Sequence, residues 1–277
     1  MGYRAPGAQG GECSAPLDGL LTDVDGTLTL GGQLRASTYA RLWSLHQRGC
    51  LIVPVTGRSS GWAQMMLAMW PVDAVVAESG AVVLWRESED GRTVLAGEAA
   101  GGRWLLRRQT FGDPKARPRL LALAGVLLAD YPQLRLAHDQ AQREVDVAID
   151  WNEQARAPQE LAERCIDTLR KAGFSAQRSS VHINAWAGCF TKASSSLWLL
   201  EQCFGVERPR ALERWFFVGD APNDESMFAT FPHHLAVQPP GAFHGKVQSL
   251  PQRFSGVCES AGFDAWAQEL LDAWNRG

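Results

Sequence analysis

The sequence lacks the features that mark membrane, nucleic-acid-binding and secreted proteins. No stretch of about 20 apolar residues is present, and the run at 120–129 is far too short to cross a bilayer. The net charge is −3 and no cluster of lysine or arginine occurs, so we expect no nucleic-acid and no membrane partner. Residues 1–16 lack the apolar core of about 7–15 residues that a secretory signal needs. We therefore expect a flexible leader there and a cytoplasmic protein.

Closely paired cysteines are also absent. The six cysteines are scattered and none forms a Cys-x-x-Cys pair, which favours reduced thiols over a disulfide framework. What is present is an ordinary globular composition, 45% hydrophobic and 21% charged. Since 277 residues exceed what one compact core usually occupies, the length favours two domains.

Strand and helix patterns alternate at both ends of the chain. Strands are predicted at 17–23, 51–55, 72–77, 81–85 and 215–218, and helices at 33–48, 59–70, 192–204 and 263–274. Most of these strands are continuously apolar rather than alternating in polarity. This pattern favours a parallel sheet that is covered by helices on both faces.

The middle of the chain has a different pattern. Helices are predicted from Asp113-Pro114 to Asp130 and at 158–171, and strands at 144–151, 174–177 and 181–186. The strand at 144–151 alternates apolar and polar residues, as a half-buried strand does. We therefore predict an α/β protein with a Rossmann-like parallel-sheet core domain, residues 17–85 and 189–277, and an inserted α+β cap domain, residues 86–188.

Two aspartates follow the first predicted strand. Asp23 and Asp25 lie one residue apart, before Gly26, where the apolar strand gives way to a turn. Alternate side chains of a strand point the same way, so both carboxylates can address one small volume. Taken alone, the pattern is equally compatible with a solvated turn. A calcium-binding loop is excluded, because Leu28 and Leu34 occupy the positions that need glycine and a bidentate glutamate.

Polar groups occur at three further strand ends or helix starts. These are Thr56-Gly57-Arg58, Lys192, and Gly219-Asp220 with Asn223 and Asp224. Ligands of open α/β sheets bind at the carboxyl ends of the strands. Four such groups on one chain predict a single site there.

In these four motifs, in this order, the chain resembles the haloacid dehalogenase (HAD) superfamily. The long interval between Arg58 and Lys192 resembles the Cof-type subfamily IIB, which inserts an α+β cap at that point. The resemblance implies a Mg²⁺-dependent phosphatase that acts on a small phosphorylated metabolite, and we expect that metabolite to be a sugar phosphate. The reaction would pass through an aspartyl-phosphate.

The resemblance also implies roles for the motif residues. Asp23 would be the nucleophile, and Asp25 the general acid that protonates the leaving alkoxide and then activates water. Thr56 and Lys192 would bind and neutralise the phosphoryl group, with Gly57 in the same loop. Without the resemblance, Lys192 would be interpreted as an exposed lysine at a helix start. Arg58 would contact the phosphate or leaving group, or lie on the surface.

A hard cation would relieve the repulsion among these carboxylates and the phosphate. Mg²⁺ prefers oxygen ligands, and the resemblance implies the Asp23 carboxylate, the Asp25 backbone carbonyl and Asp220. Asn223 would support the same site. Asp224 would act through water or position Lys192, and the alternative is that it caps the following helix.

Selectivity is expected from the cap. The alternation at 180–186 places His182, Asn184 and Trp186 on one face of a strand. If that face is directed at the core site, it could bind a sugar. The alternative is that it forms an exposed surface of the cap.

Two other functions remain compatible with the sequence. The first motif also resembles phosphomannomutases, so a phosphomutase is one alternative. A phospholigand-binding module without turnover is the other. The sequence does not determine the oligomeric state.

Overall fold

The computed structural model describes residues 17–99, 102–244 and 246–276; the leader predicted at 1–16 lies outside the described residues. Within this part the strands are β1 (Gly19–Thr22), β2 (Thr29–Leu30), β3 (Gln33–Leu34), β4 (Leu51–Pro54), β5 (Ala74–Ala77), β6 (Val82–Glu87), β7 (Leu105–Thr110), β8 (Arg135–Leu136), β9 (Val147–Asp150), β10 (Ser175–Arg178), β11 (His182–Trp186), β12 (Trp215–Gly219) and β13 (His234–Ala236). The α-helices are α1 (Ala36–Gln47), α2 (Ser60–Met69), α3 (Ala96–Ala99), α4 (Arg117–Asp130), α5 (Gln159–Lys171), α6 (Lys192–Gln202), α7 (Arg208–Arg214), α8 (Glu225–Thr230) and α9 (Glu259–Arg276).

A parallel sheet with the order β13-β12-β1-β4 forms the centre of the molecule. A bridge between Val55 and Val76 joins it to β5, which continues as an antiparallel sheet with β6 and β7. Alternate apolar residues of each strand enter the two faces of the sheet. Helices α1, α2 and α9 contribute to the hydrophobic cluster on one face, and α6, α7 and α8 to the cluster on the other.

A second, antiparallel sheet has the order β10-β11-β9-β8. Helices α4 and α5 cover one of its faces, and Leu127, Cys165 and Ile183 belong to the hydrophobic cluster between them. We call these four strands and two helices, with the loops that connect them, the cap. The α/β fold class with an α+β cap is confirmed. The domain boundaries at 86 and 188 stay predictions, and β6 runs through position 86.

Two local predictions differ from the structure, and two elements of the structure were not predicted. The helix predicted from residue 33 begins at Ala36, because residues 29–34 form a hairpin at Gly31 and Gly32, which both have positive φ. The strand predicted as half-buried at 144–151 is fully buried over Val147–Asp150, since helices cover one face and the core domain lies against the other. Strand β7 and helix α7 were not predicted, because their charged, largely exposed residues give no clear apolar period.

The described cysteines are all free, and Cys50 and Cys165 are buried. Among the described residues, none of the helices combines the length and the apolar character needed to cross a membrane.

Candidate active site

The candidate site lies where β1, β4 and β12 end side by side. Asp23 comes directly after β1, and its backbone N–H donates to the carbonyl oxygen of Val218 at 2.9 Å. Thr56 follows β4 by two residues, and Asp220 comes directly after β12. Because parallel strands present their carboxyl ends at the same edge, these three side chains converge.

Lys192 joins two of the aspartates. Its Nζ donates to Asp23 Oδ1 at 2.7 Å and to Asp224 Oδ1 at 2.7 Å. Burial alone would lower the pKa of Lys192, but the charges of Asp224 and Asp23 outweigh it and raise that pKa above its usual range. Lys192 is 2% exposed, so the interpretation as an exposed helix-start lysine is wrong.

Three carboxylates form a cluster that has more negative charge than Lys192 can balance. Asp23, Asp220 and Asp224 each offer an oxygen, and these oxygens lie within 4.8 Å of one another. Burial raises the pKa of Asp23 to about 7 against the opposing effect of Lys192. Burial, followed by the charges of Asp23 and Asp224, raises the pKa of Asp220 well above its usual value. A cation at this cluster would relieve both effects.

The turn after β1 is shaped around this cluster. Gly26 has φ +82°, and a Cβ there would lie 2.4 Å from Asp220 Oδ2. Only glycine fits, both for its backbone conformation and for the space available. Thr27 donates from its hydroxyl to Asp220 Oδ1 at 3.3 Å. Sequence reasoning did not identify Thr27, although it lies within the first motif.

Asn223 and Asp224 occupy the turn after β12. The Oδ1 atom of Asn223 is buried and has no hydrogen-bond partner among the described residues. The Oδ2 atom of Asp224 accepts the backbone N–H groups of Asp220, at 3.0 Å, and Ala221, at 3.3 Å. Asp224 thus holds Lys192 and the preceding turn. Its side chain makes no capping bond to α8, so the helix-capping alternative is wrong.

These groups fit a hard divalent cation. The cluster supplies carboxylate oxygens from Asp23 and Asp220. The Oδ1 atom of Asn223 accepts no hydrogen bond from the described residues, so it is available as a further ligand. The Asp25 backbone carbonyl accepts from Ser180 Oγ at 3.0 Å and keeps a second lone pair. An all-oxygen donor set of this kind is what Mg²⁺ prefers.

Arg58 pairs with Asp25 through both of its carboxylate oxygens. Arg58 Nε donates to Oδ2 and Nη2 donates to Oδ1, each at 2.7 Å. The guanidinium also lies over the ring of Trp62, 5.2 Å from the centroid. Arg58 is buried, so its interpretation as a surface residue is wrong. Its Nη1 is buried without a partner among the described residues.

A cap carboxylate, Glu153, completes this charge network. Arg58 Nη2 donates to Glu153 Oε1 at 2.7 Å, and Glu153 Oε2 lies 2.9 Å from His182 Nε2 and 3.3 Å from His138 Nδ1. Burial would raise the pKa of Glu153, but hydrogen bonds from His182 and Arg58 outweigh it and hold that pKa well below its usual range. Glu153 is therefore ionised beside Asp25 and Arg58. Nothing in the sequence around Glu153 distinguishes it from a solvated loop residue.

The face of β11 predicted to bind a sugar is directed at the core. His182, Asn184 and Trp186 are all buried, so the exposed-surface alternative is wrong. Both hydrogens of the Asn184 amide are engaged, since Nδ2 donates to the Gly57 carbonyl at 3.0 Å and to Asp146 Oδ2 at 2.8 Å. Trp186 stacks on Phe190, with 5.4 Å between ring centroids. Substrate binding by His182 and Asn184 stays a prediction.

Glu78 and Arg143 fix the junction between core and cap. The Glu78 carboxylate accepts four backbone N–H groups at 2.8–3.1 Å, one from Ser60 at the start of α2 and three from residues 144–146 of the cap. Both Glu78 and Ser79 have positive φ, which indicates a strained turn held by these contacts. Buried Arg143 pairs with two cap carboxylates and donates to the Gly57 carbonyl at 2.9 Å. Sequence reasoning missed Arg143, although acidic residues in the otherwise apolar pattern around β9 were a signal of buried pairing.

Three solved structures illustrate what this chain is similar to. One is a HAD/COF-like hydrolase from Plasmodium vivax, at 15% identity and a TM-score of 0.64 over 95% of this chain and 97% of that one. Another is the C-terminal domain of trehalose-6-phosphate phosphatase from C. albicans, at 15% identity and a TM-score of 0.65 over 92% and 93%. The third is sucrose-phosphatase from Synechocystis in complex with sucrose and phosphate, at 14% identity and a TM-score of 0.56 over 92% and 98%. No protein-family model and no curated protein sequence matches the chain. At identities this low, the structural similarity establishes the fold alone.

Proposed function

We propose that this chain, which has the fold of the HAD-superfamily hydrolases that its motifs resemble, is a Mg²⁺-dependent phosphatase of a small phosphorylated metabolite. The observation that carries the proposal is Lys192, buried between Asp23 and Asp224 at the strand ends, with Asp220 beside them. In this arrangement the lysine can hold a phosphoryl group next to a carboxylate nucleophile, and the other carboxylates can hold a cation.

Asp23 is the proposed nucleophile. Lys192 binds its Oδ1, which leaves Oδ2 to attack phosphorus in line with the bond to the leaving oxygen. That bond breaks as the aspartyl-phosphate forms. Lys192 and the hydroxyl of Thr56 stabilise the charge on the phosphoryl oxygens. Attack by water on phosphorus then releases phosphate and restores the Asp23 carboxylate.

Asp25 is the proposed acid and base. It gives a proton to the leaving alkoxide and later takes one from the attacking water. In the structure Arg58 donates to both of its oxygens, so neither is free to pass a proton to a leaving group. We infer that bound substrate draws the guanidinium away, because a phosphoryl group or leaving oxygen offers Arg58 a competing acceptor. Asp25 can then accept the proton that it needs as an acid.

Mg²⁺ is the proposed cofactor. Asp23, Asp220, the Asp25 carbonyl and the orphaned Asn223 oxygen would hold it. Bound there, the ion would supply positive charge against the phosphoryl oxygens. Asp224 keeps the positioning role that its bonds to Lys192 and the turn indicate.

A sugar phosphate is the proposed substrate class. Asp23 and Asp25 are 5% and 7% exposed beneath the cap, which disfavours a macromolecular substrate. The ionised Glu153 beside Asp25 would repel a second anionic group on the leaving group and can accept bonds from hydroxyls. Two of the similar structures are named as phosphatases of sugar phosphates, which supports the same class. We propose a small-molecule partner and no nucleic-acid partner.

The test is phosphate release from a panel of sugar phosphates, phosphoglycerate conjugates, nucleotides and cofactors, with Mg²⁺ and with chelator. We expect Mg²⁺-dependent release that is fastest with neutral sugar leaving groups, and loss of turnover in Asp23→Asn with the fold intact. The matched control is Asp18→Asn, a carboxylate that pairs with Arg210 at the opposite end of β1. It should keep full activity.

Three results would overturn this assignment. A fully active Asp23→Asn variant would refute the nucleophile. Interconversion of hexose phosphate isomers without release of inorganic phosphate would make the protein a mutase. Tight phosphate-ester binding with no turnover across the panel would make it a binding module.

A further inference from the structure

The carbonyl of Gly57 is held from the cap side by two side chains. Asn184 Nδ2 donates to it at 3.0 Å and Arg143 Nη1 donates to it at 2.9 Å. Gly57 lies between Thr56 and Arg58 in the core, whereas Asn184 is on β11 and Arg143 precedes β9. Two cap residues therefore converge on one peptide group of the core domain.

The same peptide group orients Thr56. Its N–H belongs to Arg58 and donates to Thr56 Oγ1 at 3.1 Å, on the side of the peptide opposite the carbonyl. Because one lone pair of the threonine oxygen is occupied in this way, its hydroxyl hydrogen is directed elsewhere and is free to donate. The plane of the peptide between Gly57 and Arg58 thus determines whether Thr56 can serve a phosphoryl oxygen.

The cap groups are themselves fixed. Arg143 is fully enclosed by Asp139 and Asp146, and it bonds both at 2.9 Å. Asp139 also accepts the backbone N–H of Ser59, the residue that follows Arg58, at 3.1 Å. The loop is therefore contacted by the cap at two successive points.

We propose that Asn184 and Arg143 are positioning residues, by which the docked cap holds the Gly57–Arg58 peptide so that Thr56 presents its hydroxyl to phosphate. The inference rests on the proposed function, since it assigns the phosphate site to Thr56. It also gives Asn184 a role different from direct contact with a sugar. Both of its amide hydrogens are already committed, to Gly57 and Asp146.

Inorganic phosphate separates the two roles of Asn184, because phosphate has no leaving group. Asn184→Ala removes one of the two donors to the Gly57 carbonyl and leaves Arg143 in place. We expect phosphate binding, measured by calorimetry with Mg²⁺, to weaken about tenfold, the effect of losing one hydrogen bond and some alignment. We also expect kcat/KM to fall by the same factor for every leaving group, and the amide of Arg58 to exchange faster with solvent.

The control is Gln140→Ala. The Gln140 side chain accepts the backbone N–H of Ala148 at 2.9 Å inside the cap, and among the described residues it shows no hydrogen bond to residues 56–59. It should lower stability as much as Asn184→Ala does and leave phosphate affinity unchanged. Should Asn184→Ala not fold, Asn184→Ser keeps a polar side chain too short to span the gap, and the same measurements apply.

Unchanged phosphate affinity in the Asn184 variants would overturn the proposal. A loss of kcat/KM confined to particular sugars would also overturn it and make Asn184 a direct ligand. If Gln140→Ala lost as much phosphate affinity as Asn184→Ala, the weaker binding would be explained by a less stable cap. That result would refute the positioning role. If the wild-type protein binds phosphate but releases none from any ester, the proposed function fails while the positioning role is still tested by binding.

Discussion

Replacing Lys192 by methionine tests the electrostatic arrangement of the whole site. Lys192 makes 2.7 Å contacts with Asp23 and Asp224, and all three side chains are buried. Removing one partner of a buried ion pair leaves uncompensated charge and costs about 3–5 kcal/mol. A domain of ordinary stability has about 5–15 kcal/mol in total, so the loss is large enough to measure and small enough to leave a folded protein.

Divalent cation should partly restore that loss. Without Lys192 the cluster of Asp23, Asp220 and Asp224 is more negative, so Mg²⁺ gains affinity for it. A ligand at 100 times its dissociation constant stabilises the folded state by about 2.7 kcal/mol. We therefore expect Lys192→Met to be strongly destabilised in chelator, and to recover about half of the loss in saturating Mg²⁺ without recovering phosphatase activity.

The assay is chemical denaturation followed by tryptophan fluorescence, with and without Mg²⁺. It should be run at about pH 8, above the pKa of about 7 of Asp23, so that this carboxylate is ionised in the metal-free wild type. Lys246→Met is the matched control, because Lys246 is exposed and its side-chain Nζ donates to the backbone carbonyl of Ala242, at 3.1 Å, rather than to a carboxylate. It should stay within about 0.5 kcal/mol of wild type. A metal-free Lys192→Met protein within about 1 kcal/mol of wild type would refute the reasoning.

Three further predictions follow from other contacts. Glu78→Gln exchanges a carboxylate oxygen that accepts backbone N–H groups for an amide that donates, so we expect the free energy of unfolding, measured by denaturant titration, to fall by about 2–4 kcal/mol. A fall of less than about 1 kcal/mol would contradict the role of Glu78 at the junction between core and cap. In metal-free protein the folded pKa of Asp23, about 7, lies above its ordinary 3.8. The protonation of Asp23 therefore stabilises the folded state fully below about pH 4, and this stabilisation is lost as the pH rises through about 7. Thermal unfolding should show this decline in wild type and less of it in Asp23→Asn; equal slopes would argue against it. Glu153→Gln should raise the kcat/KM ratio of anionic to neutral leaving groups about tenfold, whereas Glu163→Gln, which removes a solvent-facing cap ion pair, should not; an unchanged ratio would remove Glu153 from substrate selection.

The core half of the site was predictable because its residues are tied to strand ends. A buried parallel strand is a short apolar run, and the residues just after it must lie at the ligand-binding edge of the sheet. Asp23, Thr56 and Asp220 each follow such a run, so their proximity follows from topology alone. The structure adds their partners. That Lys192 bridges Asp23 and Asp224, and that Arg58 binds Asp25, depends on side-chain geometry that spacing does not specify.

The cap half was not predictable in the same way, and the reason is physical. An antiparallel sheet can have one face in water, so polar residues on β11 are equally compatible with an exposed face and a docked one. His182 and Asn184 are buried only because the core supplies Gly57 as an acceptor, and because the cap supplies Glu153 and Asp146. A buried polar group is tolerated only when it is paired, and these partners lie tens of residues away in sequence. The cap half of the site therefore depends on contacts between segments that local sequence patterns cannot connect, which is why the partners of Glu153 and Arg143 are seen only in the folded chain.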